Sequence, residues 1–141
     1  MQGLLDLLNA RYMACQLKPG AEEFLREAGR RGFRLVIGTA SDRKAVEAIL
    51  ARHGLLDLFL DIITTGETGL DKKDPAFYYR ALESLGTRPA DTWLFDDAPF
   101  CLNAARSCGL RTVGVPDIYF SEADFADADR VLKRLDEWFR P

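Results

Sequence analysis

Apolar residues at Leu4, Leu5, Leu7, Leu8, Tyr12 and Met13 fall at helical spacing, which predicts an amphipathic helix over 4–16. Lys18-Pro19-Gly20 breaks it. Phe24, Leu25 and Ala28 then share one side of a second helix, over 21–28, that ends at Gly29 or Gly32. Phe33-Arg34-Leu35-Val36-Ile37-Gly38 is a near-continuous apolar run, as expected of a strand buried on both faces of a parallel sheet. Thr39-Ala40-Ser41 ends it, and Ser41 reads as the N-cap of a helix over 43–53 with Val46, Ile49 and Leu50 inward. A second apolar run covers 58–64, and Thr65-Gly66-Glu67-Thr68-Gly69 forms the loop beyond it.

Asp74 is placed to cap, and Pro75 to open, a helix over 76–85 closed by Gly86. A strand over 92–95 runs into Asp96-Asp97, and Pro99 starts a helix that reaches Cys108. A further strand over 111–115 stops at Pro116. An acidic loop spans 117–129, a short edge strand 130–132 and a helical turn 135–139. Strands alternating with helices predict an α/β fold: a doubly wound, mainly parallel sheet.

At 141 residues the chain holds about one domain, and no internal repeat or linker divides it. Its 19 Lys and Arg are scattered among 22 acids for a net charge of -3, which leaves no basic stripe for a nucleic acid. No apolar run is long enough for a membrane span. The N-terminus has neither the basic region nor the cleavage site of a signal peptide, so a cytoplasmic protein is expected. Cys15, Cys101 and Cys108 lack paired spacing and read as reduced core thiols. His53, before Gly54, suits a helix C-terminus.

Chemistry concentrates at strand ends. Thr39 alone is a strand-end residue, Lys72 a loop lysine, and Asp96 with Asp97 a pair of acids at a helix start. In a parallel sheet, however, they converge on the carboxyl edge, where ligands sit. A hydroxyl, an ammonium and two carboxylates holding Mg²⁺ make a phosphate cradle, because crowded carboxylates repel unless a cation binds and Mg²⁺ favours one or two of them plus water and phosphate oxygens.

At these residues the sequence resembles the haloacid dehalogenase-like (HAD) hydrolase superfamily, in its phosphatase and phosphoglucomutase branch. Leu35-Val36-Ile37-Gly38-Thr39-Ala40-Ser41 is similar to the second family motif. Lys72-Lys73-Asp74-Pro75 is similar to the third, with Lys73 in place of the usual first Pro; register with Pro75 favours Lys72 over Lys73 as the motif lysine. Phe95-Asp96-Asp97-Ala98 and the following helix resemble the fourth. The resemblance covers roughly 17–139 and implies a HAD-like Rossmannoid core over 17–141. Thr39, Ala40 and Lys72 would bind phosphate, Thr39 and Lys72 would act in catalysis, and Asp96 and Asp97 would hold Mg²⁺, with Asp97 in closest contact.

The family's first motif, Asp-x-Asp-x-Thr on the central strand, has no counterpart. The only Asp-x-Asp is Asp127-Ala128-Asp129, near the wrong end of the chain, and Asp6 lies in the helical pattern with no Asp two residues on. The resemblance therefore implies that 1–16 is a remnant of a helical cap and that the sheet lacks its first, central strand. The chain would be the later two thirds of a Mg²⁺-dependent phosphatase for a small phosphorylated metabolite, inactive alone for want of the nucleophile. The alternative is a catalytically inactive phosphate- or metal-binding or regulatory module. A missing central strand would expose strand edges, which predicts internal re-pairing or a homodimer, with Trp138, Phe139, Tyr119 and Phe120 available to an interface. A receiver domain fits poorly, since its acids precede its Thr and Lys, and no GxGxxG supports dinucleotide binding.

Overall fold

The computed structural model describes the backbone of Gln2–Leu5 and residues 17–140. In chain order the elements are β1 (Gln2–Leu5), α1 (Ala21–Arg30), β2 (Leu35–Thr39), α2 (Arg43–Arg52) and β3 (Phe59–Thr64). The short α3 (Thr65–Thr68), then α4 (Pro75–Leu85), β4 (Thr92–Asp96), α5 (Pro99–Ser107), β5 (Arg111–Gly114) and β6 (Arg130–Val131) follow. The six strands form one sheet in the order β3-β2-β1-β4-β5-β6, and every described pairing is parallel. This is the expected doubly wound α/β sheet.

Local chemistry explains the elements. Asp74 accepts a hydrogen bond from the Ala76 amide at 2.9 Å and Pro75 opens α4, as its sequence required. Gly86, with φ 67°, takes the left-handed conformation that closes the helix. His53 is the C-cap of α2. That helix starts differently from expectation: Asp42, not Ser41, caps it, through a 3.1 Å bond from the Lys44 amide. A carboxylate there suits the positive helix end better than a hydroxyl. The 65–69 segment expected as loop contains α3, because the Thr64 hydroxyl accepts from the Glu67 amide at 3.0 Å.

The sheet pleat sends alternate residues to two cores. Leu35, Ile37, Phe95 and Val113 join α1 and α2 on one face; Val36 and Leu94 join α4 and α5 on the other. Cys101 and Cys108 are buried free thiols in that second core. The C-terminal 3₁₀ turn Leu135–Phe139 closes the first face. There Trp138 meets Trp93 and Phe95 edge-on at 4.8 and 5.1 Å, and Phe139 stacks on Phe24 at 5.4 Å. Trp138 and Phe139 thus pack against the core and are half-buried there. Phe120 packs near Phe125 at 6.4 Å, while Tyr119 stays 47% exposed.

The centre of the sheet departs from expectation. Instead of a gap, β1 lies between β2 and β4, pairing Leu4 with Val36 and Leu94. A run as short as Gly3-Leu4-Leu5 cannot be told from a helical turn by periodicity. The slot between two strands supplies the deciding term, since their inner N–H and C=O groups need partners. Gln2–Leu5, expected within a cap remnant over 1–16, lie instead in the sheet, while the rest of that segment, Cys15 included, lies outside the described residues.

Candidate functional site

β2 ends at Thr39 and β4 at Asp96, on either side of β1. Two strand spacings separate them by roughly 10 Å. The chain's winding reverses here, which opens the crevice that ligands use in such sheets.

Asp96, 1% exposed, uses both carboxylate oxygens. Oδ1 accepts from the Ala98 amide at 3.0 Å, which fixes the entry to α5; Oδ2 accepts from Lys72 Nζ at 2.7 Å. Lys72 itself is 8% exposed. It reaches Asp96 from the loop before α4, where the Tyr78 hydroxyl donates to the Lys72 carbonyl at 2.7 Å. Burial pushes the Tyr78 phenol well above its ordinary range, so the hydroxyl keeps its proton and remains a donor. Lys73 points elsewhere: it is exposed, with its ammonium 4.8 Å from the centre of the Phe100 ring.

Asp97 is half-buried. Its Oδ2 accepts from Lys18 Nζ at 3.2 Å, and Lys18 also reaches Asp117 Oδ2 at 3.5 Å. Burial acts to raise the Asp97 carboxyl, but the charge of Lys18, its hydrogen bond to Asp97 and the charge of Lys72 outweigh it. The carboxyl ends below the ordinary carboxylate value.

Thr39 is 1% exposed, and its Oγ1 accepts from the Ser41 amide at 3.0 Å, leaving the hydroxyl proton to donate. Ala40 beside it is exposed. Ser41 Oγ is buried and has no hydrogen-bond partner among the described residues. A buried hydroxyl left unpaired is costly, and a bound oxyanion would relieve it. The structure therefore brings Lys72 and Asp96 into contact, sets Asp97 next to them, and holds Thr39 across β1. Lys18, Ser41, Tyr78 and Asp117 are not singled out for the site by sequence, although Ser41 closes the segment similar to the second family motif and Lys18 stands just before the Pro19-Gly20 break. Asp127-Ala128-Asp129 takes no part, since Asp129 Oδ2 is engaged by the Thr112 amide at 2.7 Å beside β6.

No cluster of three or more His, Cys, Asp or Glu side chains suited to a metal occurs among the described residues. Asp96 and Asp97 still match Mg²⁺, which takes one or two carboxylates and fills its shell with water and phosphate oxygens. The lysine ammonium already seated against Asp97 shows that the position favours a cation. No described helix is long and apolar enough to cross a membrane.

Together these features define a Rossmann-like α/β domain with its polar side chains gathered at the switch point. The chain belongs to the haloacid dehalogenase-like hydrolase family, whose model matches residues 5–109. It is 37% identical to Protein CbbY of Rhodobacter capsulatus over 116 residues, covering 80% of this chain and 51% of the relative. It is 33% identical to validoxylamine A 7'-phosphate phosphatase of Streptomyces hygroscopicus subsp. limoneus, covering 84% of this chain and 55% of the relative. The crystal structure of CbbY from Rhodobacter sphaeroides in complex with phosphate superposes with a TM-score of 0.77 at 31% identity, covering 87% of this chain and 56% of that one. The chain thus spans about half the length of the curated relatives it matches.

Proposed function

We propose that this chain carries the phosphate- and Mg²⁺-binding part of a phosphatase for a small phosphorylated metabolite. The observation that carries the reading is the buried Lys72–Asp96 pair beside the half-buried Asp97, at the carboxyl edge of the sheet. Lys72, held by Asp96 and by Tyr78 through its backbone, would present its ammonium to phosphoryl oxygens. Thr39 would donate a hydroxyl proton to another oxygen, and Ser41 Oγ would gain the partner it lacks. Asp97 would hold Mg²⁺ and Asp96 would support it; the ion would neutralise charge building on the phosphoryl oxygens. Relatives support the substrate class, since one is a phosphatase of validoxylamine A 7'-phosphate and CbbY has been crystallised with phosphate.

In the family's covalent route an aspartate attacks phosphorus, the ester oxygen leaves with a proton, and water then cleaves the aspartyl-phosphate. The sequence has no Asp-x-Asp before Thr39, so the chain alone is expected to bind without turnover. A second reading rests on β1: it fills the central slot, and Asp6 follows Leu5 in the sequence, although Leu8 stands where the second acid would be.

Calorimetric titration with Mg²⁺ and inorganic phosphate tests the main reading. Asp97→Asn should weaken Mg²⁺ at least tenfold and Lys72→Met should weaken phosphate; unchanged affinities in both would reject it. Assay with p-nitrophenyl phosphate separates the two readings. No turnover is expected, whereas Mg²⁺-dependent turnover abolished by Asp6→Asn would assign the nucleophile to Asp6.

A further inference from the structure

Lys18 precedes α1, yet its side chain, 9% exposed, lies between carboxylates from two loops far along the chain. It donates to Asp97 Oδ2 at 3.2 Å after β4 and to Asp117 Oδ2 at 3.5 Å after β5. We infer that Lys18 is a built-in counterion that competes with the divalent metal for Asp97 and withdraws toward Asp117 when the metal binds. This rests on the reading of Asp97 as a metal ligand given above.

Three features carry it. The ammonium contacts the same carboxylate that a cation would use, so the two cannot share Oδ2 without close like-charge approach. Asp117 supplies a second acceptor already in reach, so the displaced ammonium stays paired. A cavity of about 270 Å³ lies alongside, lined by Leu17, Lys18, Pro116 and Asp117 among others, and gives the lysine stem room to swing. Lys133, on the same wall, would oppose a deeper retreat and so keep the ammonium near Asp117.

The charge balance gives the sign. Lys18, Asp97 and Asp117 sum to one negative charge; removing the ammonium leaves two, and Mg²⁺ then meets no competitor. At the effective dielectric of a half-exposed site, this amounts to about a tenfold gain in affinity.

The test is calorimetric titration of the whole chain with Mg²⁺ alone, with each variant's fold checked by circular dichroism. Lys18→Met should bind Mg²⁺ about tenfold tighter than the natural sequence, and Lys18→Arg, which keeps the charge, should stay within about threefold of it. Asp117→Asn should weaken Mg²⁺, because it leaves Lys18 to Asp97, and that effect should vanish in the Lys18→Met background. Unchanged or weaker binding by Lys18→Met overturns the inference, as does an Asp117→Asn effect of equal size in both backgrounds. If Mg²⁺ binding is lost in Asp97→Asn while Lys18→Met equals the natural sequence, the counterion inference falls and the metal site stands. If no variant binds Mg²⁺, both fall.

Discussion

Lys72 Nζ and Asp96 Oδ2 lie 2.7 Å apart with both side chains nine-tenths or more buried, so each charge offsets the burial cost of the other. Lys72→Met should therefore cost about 3–5 kcal/mol of folding stability, because it takes the ammonium from a buried carboxylate. Lys72→Met with Asp96→Leu should recover part of that loss, since the Ala98 amide also loses its acceptor. Urea denaturation of the two single variants and the double variant measures the coupling; additive losses would contradict the pairing.

Gly20, the N-cap of α1, has φ 79°, and a Cβ there would sit 2.3 Å from Asp136 Oδ1. Both the left-handed backbone and the contact penalise a side chain, so Gly20→Ala should destabilise by more than about 1 kcal/mol. A thermal melt equal to that of the natural sequence would mean that the turn relaxes freely.

Asp136 itself predicts a pH dependence. A hydrogen bond from Arg134 is the main cause holding its carboxyl below the ordinary value; burial opposes it, and the charges of Arg134 and Arg140 add to the lowering. A depressed folded-state pKa contributes stability that is present above the unfolded carboxylate value of about 3.9 and is lost as pH falls through the folded one. Asp136→Asn should thus melt lower than the natural sequence near neutral pH, and the gap should close progressively below about pH 4. A gap independent of pH would show that the arginines contribute packing alone.

Trp138 joins the C-terminal turn to the sheet through Trp93 and Phe95. Trp138→Ala should cost about 2–3 kcal/mol, less than a fully buried aromatic because the residue is half-buried. Loss of near-ultraviolet circular dichroism from Trp93 should accompany it; an unchanged Trp93 signal would argue that the turn docks without this contact.

Legibility in the sequence followed how local each cause is. Asp74, Pro75 and Gly86 bound α4 through contacts within a few residues, so their pattern sufficed. The apolar run at Leu35-Val36-Ile37 likewise announced a two-faced strand. Leu4 and Leu5 misled because what makes them a strand is the pair of neighbours at β2 and β4, which no local spacing records. The same holds for the site. Thr39, Lys72, Asp96 and Asp97 could be proposed from strand ends and motif order, but the Lys18–Asp97 contact joins residues 79 apart in sequence and is a product of tertiary packing. Ser41 reads as a cap because a hydroxyl before a helix suits that role, but Asp42, one residue on, competes for it and takes it.

The position of β1 also governs how the molecule comes together during synthesis. Its partner β2 is complete by Thr39, but β4, which covers its other side, begins only at Thr92. At ribosomal speeds of about 5–20 residues per second, one side of β1 stays bare for roughly 4–20 s after it is made. A half-built sheet with its innermost edge open is a template for pairing with another nascent chain, and the hazard ends only when Trp93-Leu94-Phe95 arrives to lie beside it.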